Sequence, residues 1–294
     1  MNQRERGFLL LTSHLGDSER RVLTVAQLRT LAMRMRDMEM PTEEQELTQS
    51  ALNRLGCDRE LSARILSLLE QEDLLDAYLA KAAKQNCVPI TRVSAHYPLI
   101  LRQRLGLDSP GCLWARGDVE ILNTPAISLV GCRELSEPNR EFAEAVGYQA
   151  AEQGLTLVSG NARGADRAAQ EACLKAGGRV VSIVADSLNR VPPRNMLYLS
   201  EDGFDEEFSA QRALSRNRCI HALGRLVFVA QCDLHKGGTW SGAVKNLRFG
   251  WSPVACFRDG SESMAQLEQM GAYQIGIEDL RDFTCLQTPD NFLW

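Results

Sequence analysis

The spacing of apolar residues divides the chain into two parts. Across residues 8–80, apolar side chains recur three and four positions apart, as at Leu61, Ile65 and Leu68, which predicts four or five short helices. From about residue 87, short apolar runs alternate with helical segments instead. The apolar runs lie at 126–130, 155–158, 179–185, 226–230 and 253–257, and the helical segments between them lie at 138–153, 164–176, 210–223 and 241–249.

This alternation predicts an α/β protein with a doubly wound, mostly parallel, Rossmann-like sheet, preceded by a small all-helical domain. We expect the helical domain, SAM-like or helix-hairpin-helix-like, at residues 1–86, the Rossmann-like domain at 87–275, and a C-terminal tail at 276–294. Within the helical part, Gly56 can end one helix and Asp58 can cap the next. In such sheets the ligand site lies beyond the carboxyl ends of the strands, where the strand order reverses.

Composition narrows the class of protein. The 294 residues are 44% hydrophobic and 24% charged, which excludes a disordered chain. No apolar run approaches the about 20 residues that span a bilayer, and the first residues lack the apolar core of a signal peptide. We therefore expect a cytoplasmic protein that does not enter a membrane. The nine cysteines are scattered and lack the spacing of zinc or redox motifs, so buried reduced thiols are expected.

Charge is distributed unevenly along the chain. The formal net charge is −5, but residues 81–250 carry 21 basic and 17 acidic side chains, whereas residues 251–294 carry 2 and 7. An anion-binding surface is therefore expected in the middle section, where arginine is suited to forked contacts with phosphate.

Two of the predicted strands end in residues suited to phosphate. The first is followed by Gly131 and Arg133, a glycine that lets the backbone approach a ligand and an arginine with two parallel donors. A tight turn with a solvated arginine is the alternative for this loop. The second strand leads into a helix through a loop that contains Ser159, Gly160, Arg163 and Gly164. Because the first amides of a helix are unpaired, this loop is a candidate phosphate cradle.

Later loops add further candidates for the same site. Arg194 and Asn195 follow the third strand, and Arg216, Asn217 and Arg218 lie on the helix before the fourth strand. Gly237, Gly238 and Thr239 precede the next helix. At least one of the helical arginines is expected to pack structurally. Gly237 and Gly238 could alternatively serve only a tight turn beneath a buried Trp240.

No catalytic pattern accompanies these loops. The four histidines lack metal-ligating spacing, and neither a nucleophile elbow nor a Walker loop occurs in the sequence. We expect no metal, no cofactor and no enzyme activity.

Taken together, the loops resemble the DprA/Smf family of DNA-processing proteins, which is built on an extended Rossmann fold. Residues 131–133, Gly-Cys-Arg, resemble the family's Gly-Ser-Arg. Residues 159–166, Ser-Gly-Asn-Ala-Arg-Gly-Ala-Asp, resemble its Ser-Gly-x-Ala-Arg-Gly-Ile-Asp, and residues 216–218 match its Arg-Asn-Arg. The chain departs from the family at residues 236–243, where Lys-Gly-Gly-Thr-Trp-Ser-Gly-Ala replaces Ser-Gly-Ser-Leu-x-Thr-Ala, so it resembles a divergent branch.

The resemblance implies single-stranded DNA binding through the backbone, a homodimer, and delivery of DNA to a RecA-type recombinase during DNA processing, recombination or uptake in natural transformation. An aromatic stacking platform would strengthen this interpretation, and the nearest candidates are Tyr198, Phe204 and Trp240, each of which could equally belong to the core.

A second hypothesis is that the protein is a nucleotide-binding sensor, or a nucleotide hydrolase like the cytokinin-activating LOG proteins. Under this hypothesis, a role in defence against foreign DNA is possible. Residues 237–239 resemble part of the Pro-Gly-Gly-x-Gly-Thr-x-x-Glu loop of those hydrolases. No glutamate follows at residues 240–243, so glycosidic cleavage lacks its expected acid, whereas nucleotide binding without turnover survives.

Overall fold

The computed structural model describes residues 1–38 and 47–286, so the last eight residues of the predicted tail lie outside the described part. The helical periodicity of the first part is confirmed there by α1 (Gln3–Thr12), α2 (Val25–Asp37), α3 (Gln49–Arg54), α4 (Arg59–Leu69) and α5 (Glu72–Ala83). Gly56, at φ +69°, follows α3, and Asp58 caps α4 by accepting the Leu61 N–H at 2.7 Å, as predicted.

Nine strands of the described residues form one sheet. They are β1 (Val88–Thr91), β2 (Cys112–Arg116), β3 (Ala126–Val130), β4 (Thr156–Ser159), β5 (Arg179–Ile183), β6 (Leu197–Ser200), β7 (Val227–Val229), β8 (Val254–Phe257) and β9 (Tyr273–Ile275). Their order is β1-β2-β6-β5-β4-β3-β7-β8-β9. The seven strands from β6 to β9 in that order pair parallel to one another. At the β6 edge, β2 pairs antiparallel with β6, and β1 pairs antiparallel with β2. The predicted doubly wound, mostly parallel sheet is confirmed.

Helices cover both faces of this sheet. Those that follow β1 within the described residues are α6 (Leu99–Leu105), α7 (Glu137–Glu152), α8 (Ala165–Lys175), α9 (Ala210–Leu223), α10 (Gly237–Phe249) and α11 (Glu262–Gln269). On one face α7 and α8 pack with α1 and α5, in a core that contains Phe142 and Phe228. On the other face α6, α9, α10 and α11 pack around Ile220, Val229 and Trp240. Such cover on both sides is what a parallel sheet requires.

The predicted helix at 241–249 differs from the structure at its start. Helix α10 begins at Gly237, so the two glycines and Thr239 form its first turn rather than a preceding loop. Four strands, β1, β2, β6 and β9, were not predicted. Two of these, β1 and β2, form antiparallel ladders at one edge, outside the alternation of parallel strands and helices.

The strand order reverses between β3 and β7. Strands β4, β5 and β6 are added in turn on one side of β3, whereas β7, β8 and β9 are added in turn on its other side. The loops that follow β3, β4 and β7 therefore lie side by side at the carboxyl edge. At the far end of the described chain, Phe283 is fully buried and its N–H donates to Gln153 of the α7 C-terminus at 2.9 Å. The domain boundaries at 86 and 275 stay predictions.

Candidate functional site

The loops after β3, β4 and β7 touch at positions where only glycine fits. A Cβ on Gly131 would lie 2.4 Å from the Ala165 Cβ and 3.3 Å from the Ala230 Cβ. A Cβ on Gly164, which has φ +88°, would lie 2.4 Å from the Cys132 carbonyl oxygen. These glycines allow three backbone segments to approach one another, and this packing brings the predicted phosphate loops into one cluster.

Two arginines of this cluster face solvent. Arg133 is exposed and has no hydrogen bond or ion pair with any residue that the structure describes. The Arg163 side chain is 73% exposed and pairs with the exposed Glu134 at 2.9 Å. An ion pair of this kind contributes about 1 kcal/mol or less, so Arg163 can exchange Glu134 for another anion at little cost.

The neighbouring helices begin without side-chain caps. Gly164 precedes α8 and Lys236 precedes α10, and neither helix start has a side-chain hydrogen bond to its amides within the described residues. Gly237, Gly238 and Thr239 thus present their N–H groups at the positive end of the α10 dipole. This arrangement suits an anion at the α10 start.

Arg216 does not share the exposure of Arg133 and Arg163. It is 9% exposed, and its guanidinium covers Gly160 so closely that a Cβ there would lie 1.7 Å from the Arg216 Nη1. Burial lowers the pKa of Arg216, while the nearby Asp166 carboxylate acts in the opposite direction. Burial raises the pKa of Asp166, which also accepts the Ala162 N–H at 3.0 Å. The Arg216 Nε is a buried donor without a partner among the described residues.

Arg218 and Arg212 have structural roles, as expected for at least one helical arginine. Arg218 pairs with the buried Glu201 at 2.8 Å and donates to the Asp108 carbonyl at 2.9 Å. Arg212 donates to the Ala185 carbonyl at 2.9 Å. Both side chains thereby anchor α9 to neighbouring loops.

Two further predicted residues engage in internal contacts. Ser159 is fully buried and its hydroxyl accepts from Gln170 Nε2 at 2.5 Å. Asn217 donates to the Gly238 carbonyl at 3.2 Å and so connects α9 to the α10 start. Neither side chain is directed freely at solvent, so both hold the loops in place.

Arg194 and Asn195 lie on the other side of α8. Arg194 pairs with Glu171 of α8 at 3.4 Å, and Asn195 is exposed. Arg167, in the first turn of α8, is exposed and was not predicted, although its place three residues after Gly164 could have indicated it. With Arg163, these side chains extend the basic surface along the edge of the sheet.

The three candidates for an aromatic stacking platform belong to the core, which is the alternative that the sequence left open. Tyr198, Phe204 and Trp240 are 1%, 0% and 8% exposed, so their ring faces lie in the core. Bases therefore cannot stack on these rings.

The described residues also bear on metal binding, membrane spans and reactive side chains. They contain no cluster of three potential metal-ligating side chains, and no described helix is long and apolar enough to cross a membrane. Burial raises the pKa of Cys132, which disfavours a reactive thiolate, and burial lowers the pKa of His221 to about 4.

A doubly wound sheet with exposed arginines and uncapped helix starts at its switch point defines a Rossmann-like protein with a basic loop cluster. Residues 89–283 match the family model of the DNA recombination-mediator protein A, and the chain belongs to that family. The resemblance to DprA/Smf proteins is confirmed.

The chain is also similar to individual DprA proteins in sequence and in structure. The DNA processing protein DprA of Streptococcus pneumoniae is 32% identical over 179 residues, which cover 56% of this chain and 63% of the relative. The X-ray structure of DprA from that species matches 88% of this chain and 97% of its own, with a TM-score of 0.68 and 25% identity. A Helicobacter pylori DprA structure, described for its single-stranded DNA binding mode, matches 67% of this chain and 93% of its own, with a TM-score of 0.56 and 25% identity.

Proposed function

We propose that this protein binds single-stranded DNA through its phosphates, at the carboxyl edge where the loops after β3, β4 and β7 meet. The observation that carries the proposal is the juxtaposition of exposed Arg133 and Arg163 with the start of α10, whose first amides have no side-chain cap. Phosphate contacts of this kind hold a strand without reading its bases. The single-stranded DNA binding mode described for the Helicobacter relative supports the same ligand.

The residues fall into two groups within this proposal. Arg133, Arg163 and the first amides of α10 would contact phosphates directly, with Arg194 and Asn195 extending the path beyond α8. Ser159, Arg216, Asn217 and Arg218 would hold the loops that carry them, and the Arg216 guanidinium does so by packing over Gly160. No catalytic step is assigned to any of these groups.

The family resemblance extends the proposal beyond binding. From the family resemblance we infer that the protein is a cytoplasmic homodimer that delivers the strand to a RecA-type recombinase. Co-purification of the recombinase with this protein tests this role. If the recombinase is lost when the DNA is digested, the two proteins were bridged by DNA; if it is retained, they contact each other directly.

The first test is titration of a fluorescent oligonucleotide at several salt concentrations. Binding should weaken as salt rises, because bound phosphates release counterions. Arg133→Ala and Arg163→Ala should each weaken binding and reduce the salt slope by about 0.7 to 1 for each phosphate that is no longer neutralised. Arg36→Ala removes a 75% exposed arginine from α2 and should change neither quantity. Salt-independent binding, or no binding at low salt, would refute the proposal.

A further inference from the structure

A cleft of about 810 Å³ opens beside the basic loop cluster, at the point where the strand order reverses. Its walls are the start of α7, the loop at 231–236 after β7, and the loop at 259–263 after β8. This volume falls in the range of sites that hold small organic groups.

The chemistry of the cleft differs from that of the neighbouring arginines. Its lining residues include three carboxylates, from Asp233, Asp259 and Glu262, against the single cation of Lys236. Asp259 is held in place, since it accepts from Asn139 Nδ2 at 2.7 Å and from the Ser261 N–H at 2.8 Å. The carboxylates of Asp233 and Glu262 have no hydrogen-bond partner in the described part of the chain. The cleft therefore offers acceptors to a group that donates hydrogen bonds, and it disfavours phosphate.

The cleft is continuous with the proposed path of the DNA backbone. Ser136 lines the cleft and lies three residues after Arg133, so their Cα atoms are at most about 11 Å apart. The Ser136 N–H donates to Gln231 Oε1 at 3.0 Å, which fixes the loop against the cleft wall. Lys236, another residue of the lining, directly precedes the uncapped α10. A phosphate bound at either place would leave its adjoining base within reach of the opening.

We propose that this cleft receives a base of the bound strand and favours cytosine over thymine. Cytosine carries an exocyclic N4 amine, a donor that a carboxylate accepts, where thymine carries the O4 acceptor. Carboxylates that line the cleft would therefore attract the first and repel the second. This inference rests on the proposed function, because the neighbouring phosphate contacts present the base.

The test compares oligocytidylate and oligothymidylate of equal length at neutral pH, where cytosine carries no proton. The protein should bind the cytosine strand about fivefold or more tightly, with the same salt slope for both strands. Failure of both strands to bind would overturn the proposed function. Binding of both strands with equal affinity would leave that function standing and overturn this inference.

Variants assign the preference to the cleft. Asp233→Asn and Glu262→Gln should each reduce the ratio of the two affinities, and the double variant should bring it within about twofold, without weakening the thymine strand. Glu268→Gln changes an exposed glutamate on the same helix α11, outside the cleft, and should leave the ratio unchanged. A preference that survives in the double variant would contradict the inference.

Free nucleotide separates a strand site from a mononucleotide site. Deoxycytidine monophosphate lacks the flanking phosphates, so it should not raise the thermal midpoint of the protein. A rise that Asp233→Asn abolishes would make the cleft a mononucleotide site and would overturn its assignment to the strand.

Discussion

Replacing Gly164 with alanine tests whether loop packing positions Arg133, the arginine that we propose contacts DNA. Gly164 precedes α8 at φ +88°, and a Cβ there would lie 2.4 Å from the Cys132 carbonyl oxygen and 2.5 Å from that of Arg133. Both obstacles are backbone atoms, so the clash cannot be relieved by a rotamer change. The β3 loop must move by about 1 Å, and Arg133 moves with it.

The size of the effect follows from two contributions. An alanine at positive φ costs about 1–2 kcal/mol, and forced displacement of packed atoms costs about 1–3 kcal/mol more. Gly164→Ala should therefore lower the free energy of unfolding by about 2–5 kcal/mol. Gly177, at the other end of α8, has φ +78°, but a Cβ there would have nothing within 4 Å. Gly177→Ala should therefore lose only the first 1–2 kcal/mol, that is, about the cost of the positive φ alone.

Urea denaturation of both variants measures these losses, and titration with single-stranded oligonucleotide measures binding. We expect Gly164→Ala to bind DNA more weakly than Gly177→Ala under conditions where both remain folded. Equal unfolding free energies for the two variants would refute the steric argument. A destabilised Gly164→Ala protein with unchanged affinity would show that the β3 loop position does not govern binding.

Three further outcomes are expected. Gly238→Asp places a negative charge in the first turn of α10, where the helix dipole tolerates it, so the protein should stay folded but bind oligonucleotides less tightly; unchanged affinity would exclude this helix start from the site. Arg163→Ala should lower the thermal midpoint by less than about 3 °C, because an exposed pair with Glu134 adds little stability; unfolding would make Arg163 structural. Burial lowers the pKa of His221 from 6.5 to about 4, so the unfolded chain takes up the proton more readily and stability falls as the pH drops from 6.5 toward 4. Between pH 7 and pH 5, urea denaturation should show the parent protein losing about 2 kcal/mol more of its unfolding free energy than His221→Gln loses.

The central strands could be predicted from sequence because each is a short, mostly apolar run in which nearly every residue is buried. The runs that form β3, β4, β5, β7 and β8 carry this signal, and the corresponding elements agree to within two residues. The short β9 and the antiparallel β1 lack it, since their residues are partly exposed or interrupted by Pro89. Periodicity also places the start of α10 too late, because glycines at 237 and 238 break the helical pattern although they adopt the first turn.

The loop cluster was predictable from motifs, but the individual role of each residue was not. Glycine at 131 suggested close approach to a ligand, whereas the structure shows that Ala165 and Ala230 occupy the space beside it. Those neighbours are distant in sequence, so no local pattern indicates them. The cleft beside α7 was missed for the same reason, since its walls come from three separate segments.

Burial divides the arginines of the site into two physical kinds. Arg133 is solvated in the free protein, so a phosphate bound to it replaces water and the gain depends on released counterions. Arg216 is already desolvated, its pKa is lowered by burial, and its Nε lacks an acceptor among the described residues. A phosphate that entered the loop cluster and reached this nitrogen would supply that acceptor without a further desolvation cost for the guanidinium. Under the proposed function, the exposed arginine would attract a strand at a distance, and the buried one would favour a strand that enters the loop cluster fully.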